Sequence, residues 1–209
     1  MLNAIYELPY VGAKDLWRKN ACSNHCGSWR CGFLITKICY DRYYVKGRKT
    51  MRVETERLYL YPISNDEMRC LIEKETGIEM KQAYTEMLEG CLIEPDNRIW
   101  YAVWNMELKN VSGTIVGDFC FKGLGKDGVV EIGYGLREEF RHQGYMVETV
   151  KVITEWALSM EGVCAVEAET DLKNVASQNV LMKAGFVKNG VIGEEGPRFV
   201  YRRKENEQQ

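Results

Sequence analysis

The chain reads as an α/β (α+β) fold: a mixed, mostly antiparallel twisted sheet flanked by helices. Three observations predict it. From Glu54 onward the apolar pattern switches between a two-residue and a 3.6-residue period, in the order β-α-α-β-β-β-α-β-α-β-β. Short Gly-containing turns, Val111–Gly113 and Gly123–Gly128, separate successive strand patterns in the middle of the chain. The length of 209 residues, with 45% apolar and 28% charged residues, suits one domain with or without an appendage.

Arg57–Tyr61 alternates as a strand and is stopped by Pro62. Ser64 or Asn65 can cap a helix over Asp66–Glu75, because a short polar side chain satisfies the free N–H groups of a first turn, and Asp66 and Glu67 suit its positive end. A second helix is expected from Ile78 to Leu92, ending before Pro95. Ile99–Met106 follows as a strand with Trp100, Ala102 and Trp104 on one side, then Thr114–Lys122 and Val129–Leu136. Gly144–Met160 has a helical apolar face through Val150, Ile153, Ala157 and Met160. Cys164–Thr170 is a strand, Asn174–Ala184 a helix, and Phe186–Lys188 and Arg198–Arg202 closing strands.

The composition excludes collagen, a coiled coil and a wholly disordered chain. No run approaches the roughly 18 apolar residues of a membrane span, and the N-terminus lacks the layout of a signal peptide, so the chain reads as cytoplasmic. Net charge is −2 but unevenly spread. Residues 1–50 hold nine Lys/Arg against three Asp/Glu, and residues 51–209 hold nineteen against twenty-seven. The acidic body argues against nucleic acid and suits an amine-bearing substrate, with plain solubility as the alternative.

Residues 1–50 show no sustained period and read as a poorly structured basic extension to a domain at 51–209. Lys46-Gly47-Arg48-Lys49 can be encoded by purines alone, as in a bacterial ribosome-binding site, so Met51 is expected to be the natural start. The competing reading is a real basic arm that docks to RNA or the ribosome. Four of the eight cysteines, Cys22, Cys26, Cys31 and Cys39, sit here around His25, but their spacing fits no usual zinc pattern, and no metal is expected. Cys70, Cys91, Cys120 and Cys164 read as reduced core thiols.

The most informative stretch runs from Glu131 to Thr149: a strand, a short loop, and a helix opening near Gly144. A first helical turn has unpaired N–H groups and partial positive charge, so it can hold a phosphate. Gly144 lets a bulky anion approach, and Arg141 adds a cation. The residues alone say only "anion or helix cap at a strand–loop–helix junction".

Arg141-His142-Gln143-Gly144-Tyr145-Met146 resembles the acetyl-CoA pyrophosphate loop, Q/R-x-x-G-x-G/A, of the GNAT superfamily. Asn174-Val175-Ala176-Ser177 followed by Gly185-Phe186 is similar to the N-x-x-S…G-F segment of that superfamily, and the order of elements from Glu54 to Arg203 resembles its fold. The opening Thr55-Glu56-Arg57-Leu58, with Pro62, resembles the branch containing ribosomal-protein N-terminal acetyltransferases.

The resemblance implies an N-acetyltransferase that moves an acetyl group from acetyl-CoA to a primary amine, by direct attack in a ternary complex. The amides of Gln143, Gly144, Tyr145, Met146 and Val147 would hold the pyrophosphate, beside Arg141. Leu136 would contact the pantetheine arm, and Asn174 would bind that arm or a water, a role compatible with the alternative that it caps its helix. Met146 stands where the pattern has Gly or Ala, and its side chain would crowd the pyrophosphate unless it swings aside. That departure favours the rival reading of a CoA-binding or sensing module with weak or no turnover.

Ser177 matches the family serine that serves the leaving thiolate; the alternative is a first-turn helix serine. Glu131, whose side chain alternates away from Ile132, Tyr134 and Leu136, is the first choice for general base. Glu169 is second, since Glu167 and Glu169 share a strand face and paired acids raise a pKa; the alternative for each is a solvated strand acid. His142 reads as a loop residue. The aromatics Tyr59, Tyr61, Tyr84, Trp100, Trp104 and Tyr134 read mostly as packing, with Tyr84 and Glu86 near an acceptor cleft. The expected partner is an amine acceptor, small molecule or protein N-terminus, with no nucleic acid and no membrane, the chain being a monomer or homodimer.

Overall fold

The computed structural model describes residues 43–45, 48–125 and 127–202. Cys22, His25, Cys26, Cys31, Cys39 and most of Gly32–Tyr44 lie outside the described residues. Among the described residues, no three His, Cys, Asp or Glu side chains gather as a metal site, and no helix is long and apolar enough to cross a membrane.

Tyr43–Val45 (β1) and Arg48–Thr50 (β2) pair antiparallel as a separate two-stranded sheet. The main sheet has eight strands. Val53–Glu54 (β3) and Leu58–Pro62 (β4) open it. Asn65–Lys74 (α1) and Ile78–Ile93 (α2) follow. Then come Val103–Leu108 (β5), Ile115–Leu124 (β6) and Val129–Leu136 (β7). Tyr145–Ser159 (α3), Ala165–Glu169 (β8), Val175–Ala184 (α4), Val187–Ile192 (β9) and Pro197–Arg202 (β10) complete the chain. The strand order is β3-β4-β5-β6-β7-β8-β10-β9, and every pairing is antiparallel except β7 with β8. This is the mixed, mostly antiparallel sheet that the sequence predicts.

Alternation along the strands sends side chains to two cores. On one face Trp104, Phe119 and Phe121 pack with Trp156, Val150, Ile153 and Leu181 of α3 and α4. Trp104 and Trp156 meet at 5.2 Å between ring centroids, and Trp104 stacks on Phe119 at 5.3 Å. Each such buried side chain stabilises the fold by about 1.5–3 kcal/mol. On the other face Val103 and Ala102 pack with Met68, Met80, Tyr84 and Leu88 of α1 and α2. Ser64 caps α1 through a reciprocal pair: the Glu67 N–H donates to Ser64 Oγ at 3.2 Å, and the Ser64 N–H donates to Glu67 Oε2 at 2.7 Å.

Three boundaries differ from expectation. Pro95–Trp100 forms a 3-10 helix, and the strand begins only at Val103. The chain turns at 101–102, so Ala102 enters the α2-side core while Trp100 and Trp104 enter the α3-side core. Their two-residue spacing therefore marks no shared face. The first of the two closing strands runs further than expected, over Val187–Ile192, because pairing with Pro197–Val200 orders a segment whose own side chains are mostly exposed. The short β3 owes its existence to pairing with β4, Val53 opposite Leu60.

Candidate active site

The loop after β7 is built by backbone geometry. Glu138–Phe140 makes a single 3-10 turn, closed by the Arg141 N–H on the Glu138 carbonyl at 3.1 Å. His142 and Gly144 then adopt positive φ values of 61° and 82°. A left-handed residue turns successive N–H groups toward one side, which makes a concavity for anions. Gly144 is the N-cap of α3 and offers no capping side chain, while its carbonyl accepts from the Glu148 N–H at 3.1 Å. Among the described residues the N–H groups of Gln143, Gly144, Tyr145, Met146 and Val147 bond to no protein acceptor. Arg141, His142, Gln143 and Gly144 are solvent-exposed. The amides expected to cradle an anion thus lie without protein acceptors at the positive end of a 15-residue helix.

Below this loop the sheet parts. β7 and β8 pair only from Val129 opposite Ala165 to Glu131 opposite Glu167. Beyond that, the edge of Ile132–Leu136 facing β8 has no strand partner, while its other edge is fully paired to β6. An open edge of this kind accepts an extended chain carrying amide groups. Leu136 ends the strand half-buried, against the α3-side core.

Across the gap stands the start of α4. Asn174 is its N-cap, and its Oδ1 accepts the Ser177 N–H at 3.0 Å. Asn174 thus caps its helix, and its side-chain NH₂ group is left for another partner. Ser177 is half-buried, and its Oγ lies 3.1 Å from the Tyr134 phenol of β7. Burial pushes the Tyr134 phenol up to about 12, against the pull of Ser177, so it stays protonated at neutral pH.

A narrow cavity of about 20 Å³ lies between α2 and the parting sheet, lined by Met80, Tyr84, Asp118, Cys120, Gly133 and Tyr134 among others. A larger open hollow of about 800 Å³ runs over the outer side of α2 and shares none of these residues. Burial raises the Cys120 thiol to about 12, so this cysteine is no nucleophile. Burial and the Asp118 charge also raise the Tyr84 phenol.

The acids proposed as bases occupy a charge lattice on the sheet. Glu131 meets Lys122 at 2.5 Å and Arg198 at 3.4 Å. Arg198 also meets Glu167 at 3.5 Å and Glu169 at 2.9 Å. Glu169 is 4% exposed at its side chain and accepts the N–H groups of Glu195 and of Gly196, the latter at 3.1 Å. Burial pushes its carboxyl up, but those N–H groups and Arg198 outweigh burial and hold it below the ordinary range. The expectation that Glu167 would raise the pKa of Glu169 is corrected, because a guanidinium sits between the two acids. Glu169 is held by backbone N–H groups and one guanidinium, and Glu131 meets a cation at each carboxylate oxygen.

Met146 also departs from expectation. It is 4% exposed and belongs to the α3-side core, so its side chain points away from the exposed loop and crowds no anion. The residue tolerated here is set by the core beneath the helix, which the loop motif alone does not reveal. Met146→Ala, expected from the sequence to keep or tighten ligand binding, should instead open a core cavity and cost about 2–4 kcal/mol. A thermal melt checks this; an unchanged Tm would mean the helix collapses onto the space.

Sequence reading missed two groups at this site. Asp118 sits on β6 between Gly117 and Phe119, and its alternation away from Phe119 and Phe121 was the available signal. Tyr134 reads from the sequence as a packing aromatic, since nothing local announces a hydroxyl bond to a residue 43 positions away.

Comparison with known proteins agrees with this architecture. The profile of the acetyltransferase (GNAT) domain matches residues 50–187. The uncharacterized N-acetyltransferase YoaA of Bacillus subtilis is 27% identical over 154 residues, covering 67% of this chain and 85% of YoaA. The uncharacterized N-acetyltransferase YjdG of the same organism is 38% identical over 76 residues, 36% of this chain, and that alignment spans only 45% of YjdG. Among solved structures, the ribosomal L7/L12 alpha-N-protein acetyltransferase RimL in complex with coenzyme A superposes with a TM-score of 0.56. Identity is 13%, and the match covers 71% of this chain and 95% of RimL, a likeness of fold. With the family profile spanning most of the chain and the eight-stranded sheet matching that architecture, the chain belongs to the GNAT family of acetyltransferases.

Proposed function

We propose that this chain moves an acetyl group from acetyl-CoA to a primary amine, a protein N-terminus or a small molecule, by direct attack in a ternary complex. One observation carries the reading: the sheet parts beyond Glu131 directly before a loop whose amides are unpaired. The amides of Gln143–Val147, with Arg141 beside them, hold the pyrophosphate. The free edge of Ile132–Leu136 takes the pantetheine arm, and the Asn174 side-chain amide adds a contact.

The amine must lose a proton before its lone pair attacks the thioester carbon. Asp118 lines the cavity beside Gly133 and is the better-placed acceptor of that proton. Glu131 acts with Glu167 and Glu169 through the field, since the lattice holds more carboxylates than cations and attracts an ammonium. As the C–N bond forms and the C–S bond breaks, the second proton shed by the nitrogen passes to the leaving thiolate through the Ser177 hydroxyl, which takes up one proton as it gives up another and stays neutral beside the protonated Tyr134. The rival reading of a binding module without turnover rested on Met146, and that side chain lies in the core.

The test is release of free thiol from acetyl-CoA with a panel of amines and N-terminal peptides. Turnover with at least one amine is expected, and Asp118→Asn should lower kcat/KM for it by about 10²-fold or more. Thiol release no faster than hydrolysis with every acceptor would sink the assignment.

A further inference from the structure

The anion loop has a problem of its own. His142 is held left-handed without being glycine, at a cost on the order of 1 kcal/mol. The loop is exposed, and few bonds within it fix its shape. Besides the Gly144–Glu148 backbone bond and the 3-10 turn, Gln143 Nε2 donates to the Glu139 carbonyl at 3.1 Å. Its support comes from the other end of the domain. Thr55 and Leu58 close a tight turn, with the Leu58 N–H on Thr55 Oγ1 at 2.9 Å and the Thr55 N–H on the Leu58 carbonyl at 3.0 Å. That turn presents Arg57, at the entry to β4. Its backbone N–H donates to Glu148 Oε1 at 2.8 Å, and its Nε donates to Glu148 Oε2 at 2.7 Å. Nη1 donates to the Gln143 carbonyl at 3.0 Å, and the guanidinium lies 4.3 Å from the centroid of the Tyr145 ring.

We propose that Arg57 is a positioning residue: through Gln143, Tyr145 and Glu148 it fixes the loop so that the amides of residues 143–147 converge on a diphosphate. The inference rests on the pyrophosphate reading above. The geometry sets what can replace Arg57. Only a planar fork reaches a carboxylate and a carbonyl at once while stacking on a ring, so lysine keeps the charge and loses the brace. Glu148 is the fixed end. Burial pushes its carboxyl up, but the Thr55 hydroxyl and Arg57 bring it below the ordinary range. Carboxylate and guanidinium thus form one unit joining β4 to the first turn of α3.

Binding of CoA by calorimetry, with turnover of acetyl-CoA and of acetyl-pantetheine, which lacks the pyrophosphate, tests the proposal. Arg57→Met and Arg57→Lys should each raise the Kd for CoA about tenfold, with kcat at saturation within about twofold of wild type. Use of acetyl-pantetheine should be unchanged. Glu148→Gln should reproduce the defect, and the Arg57→Met/Glu148→Gln double variant should be no worse than the weaker single. If Arg57→Met fails to fold, the lysine and glutamine variants carry the test. Wild-type CoA affinity in folded variants, full rescue by lysine, or equal damage to acetyl-pantetheine use would each overturn it. Gly144→Glu separates the two levels: intact CoA binding there removes the pyrophosphate reading itself, whereas its loss beside an unaffected Arg57→Met removes only the brace.

Discussion

Gly144→Glu should raise the Kd for acetyl-CoA by roughly 100-fold or more while leaving the fold intact. Two effects add. At φ 82° any residue with a Cβ is strained by about 1–2 kcal/mol, a strain the free loop sheds by relaxing and that binding must restore. The new carboxylate also sits where a diphosphate is expected, and repulsion at this exposed position adds on the order of 1–2 kcal/mol after solvent screening. Together they reach about 3 kcal/mol, at 1.4 kcal/mol per tenfold. Gly144→Ala isolates the first effect and should weaken binding by about tenfold. A Cβ here meets only Arg57 Nη2, at 3.5 Å, so steric damage to the protein is not the cause. Calorimetric titration with CoA reads both variants, and unchanged affinity in Gly144→Glu would move the diphosphate elsewhere.

Arg198→Met should lower the stability of the fold substantially. It removes the one cation that touches Glu131, Glu167 and Glu169, and it leaves Glu169 almost fully buried with its charge unpaired by any cation. Breaking a buried pair from one side costs about 3–5 kcal/mol. Arg198 is one-third exposed, so the lower end, about 3 kcal/mol, is expected, lowering Tm by roughly 6–12 °C. The pH dependence gives a second readout. Glu169 is held below its ordinary range, so the stability it contributes is present above the unfolded carboxylate value and lost as pH falls through the folded one. Without Arg198 that depression shrinks, and the loss of stability on the acid side of the ordinary carboxylate range flattens. Adding Glu169→Gln should restore part of the Tm. Circular dichroism melts across pH measure all of this; an unaltered Tm in Arg198→Met would mean the acids find other partners.

The sequence told most about elements whose causes are local. Ser64 and Glu67 three residues apart announce the start of α1, and Gly144 and Asn174 announce α3 and α4, because a cap is read from neighbouring residues. It misled where the cause lies far along the chain. Trp100 and Trp104 look like one strand face, yet Trp100 ends a 3-10 helix, a turn at 101–102 intervenes, and both rings still reach the same core. Met146 looks like a flaw in a loop motif when read beside Gly144, and like an ordinary core residue when the sheet under the helix is known. The acids Glu131 and Glu169 are legible as a pair of strand carboxylates, but Arg198, 29 positions beyond Glu169, decides what they can do. Asp118 is one acid among thirty until β6 and β7 are aligned, Cys120 falls opposite Gly133, and Asp118 shares their cavity.

The three rungs that join β7 to β8 make the sheet two slabs sharing a short seam, with β8, β10 and β9 on the far side. A molecule that lays its own amides along the rest of that seam becomes a stave of the protein. Its departure after reaction must then unzip hydrogen bonds that also hold the slabs together. Turnover in such a design is tied to how firmly the short seam and its ionic clasp, Glu131–Arg198–Glu167, hold by themselves.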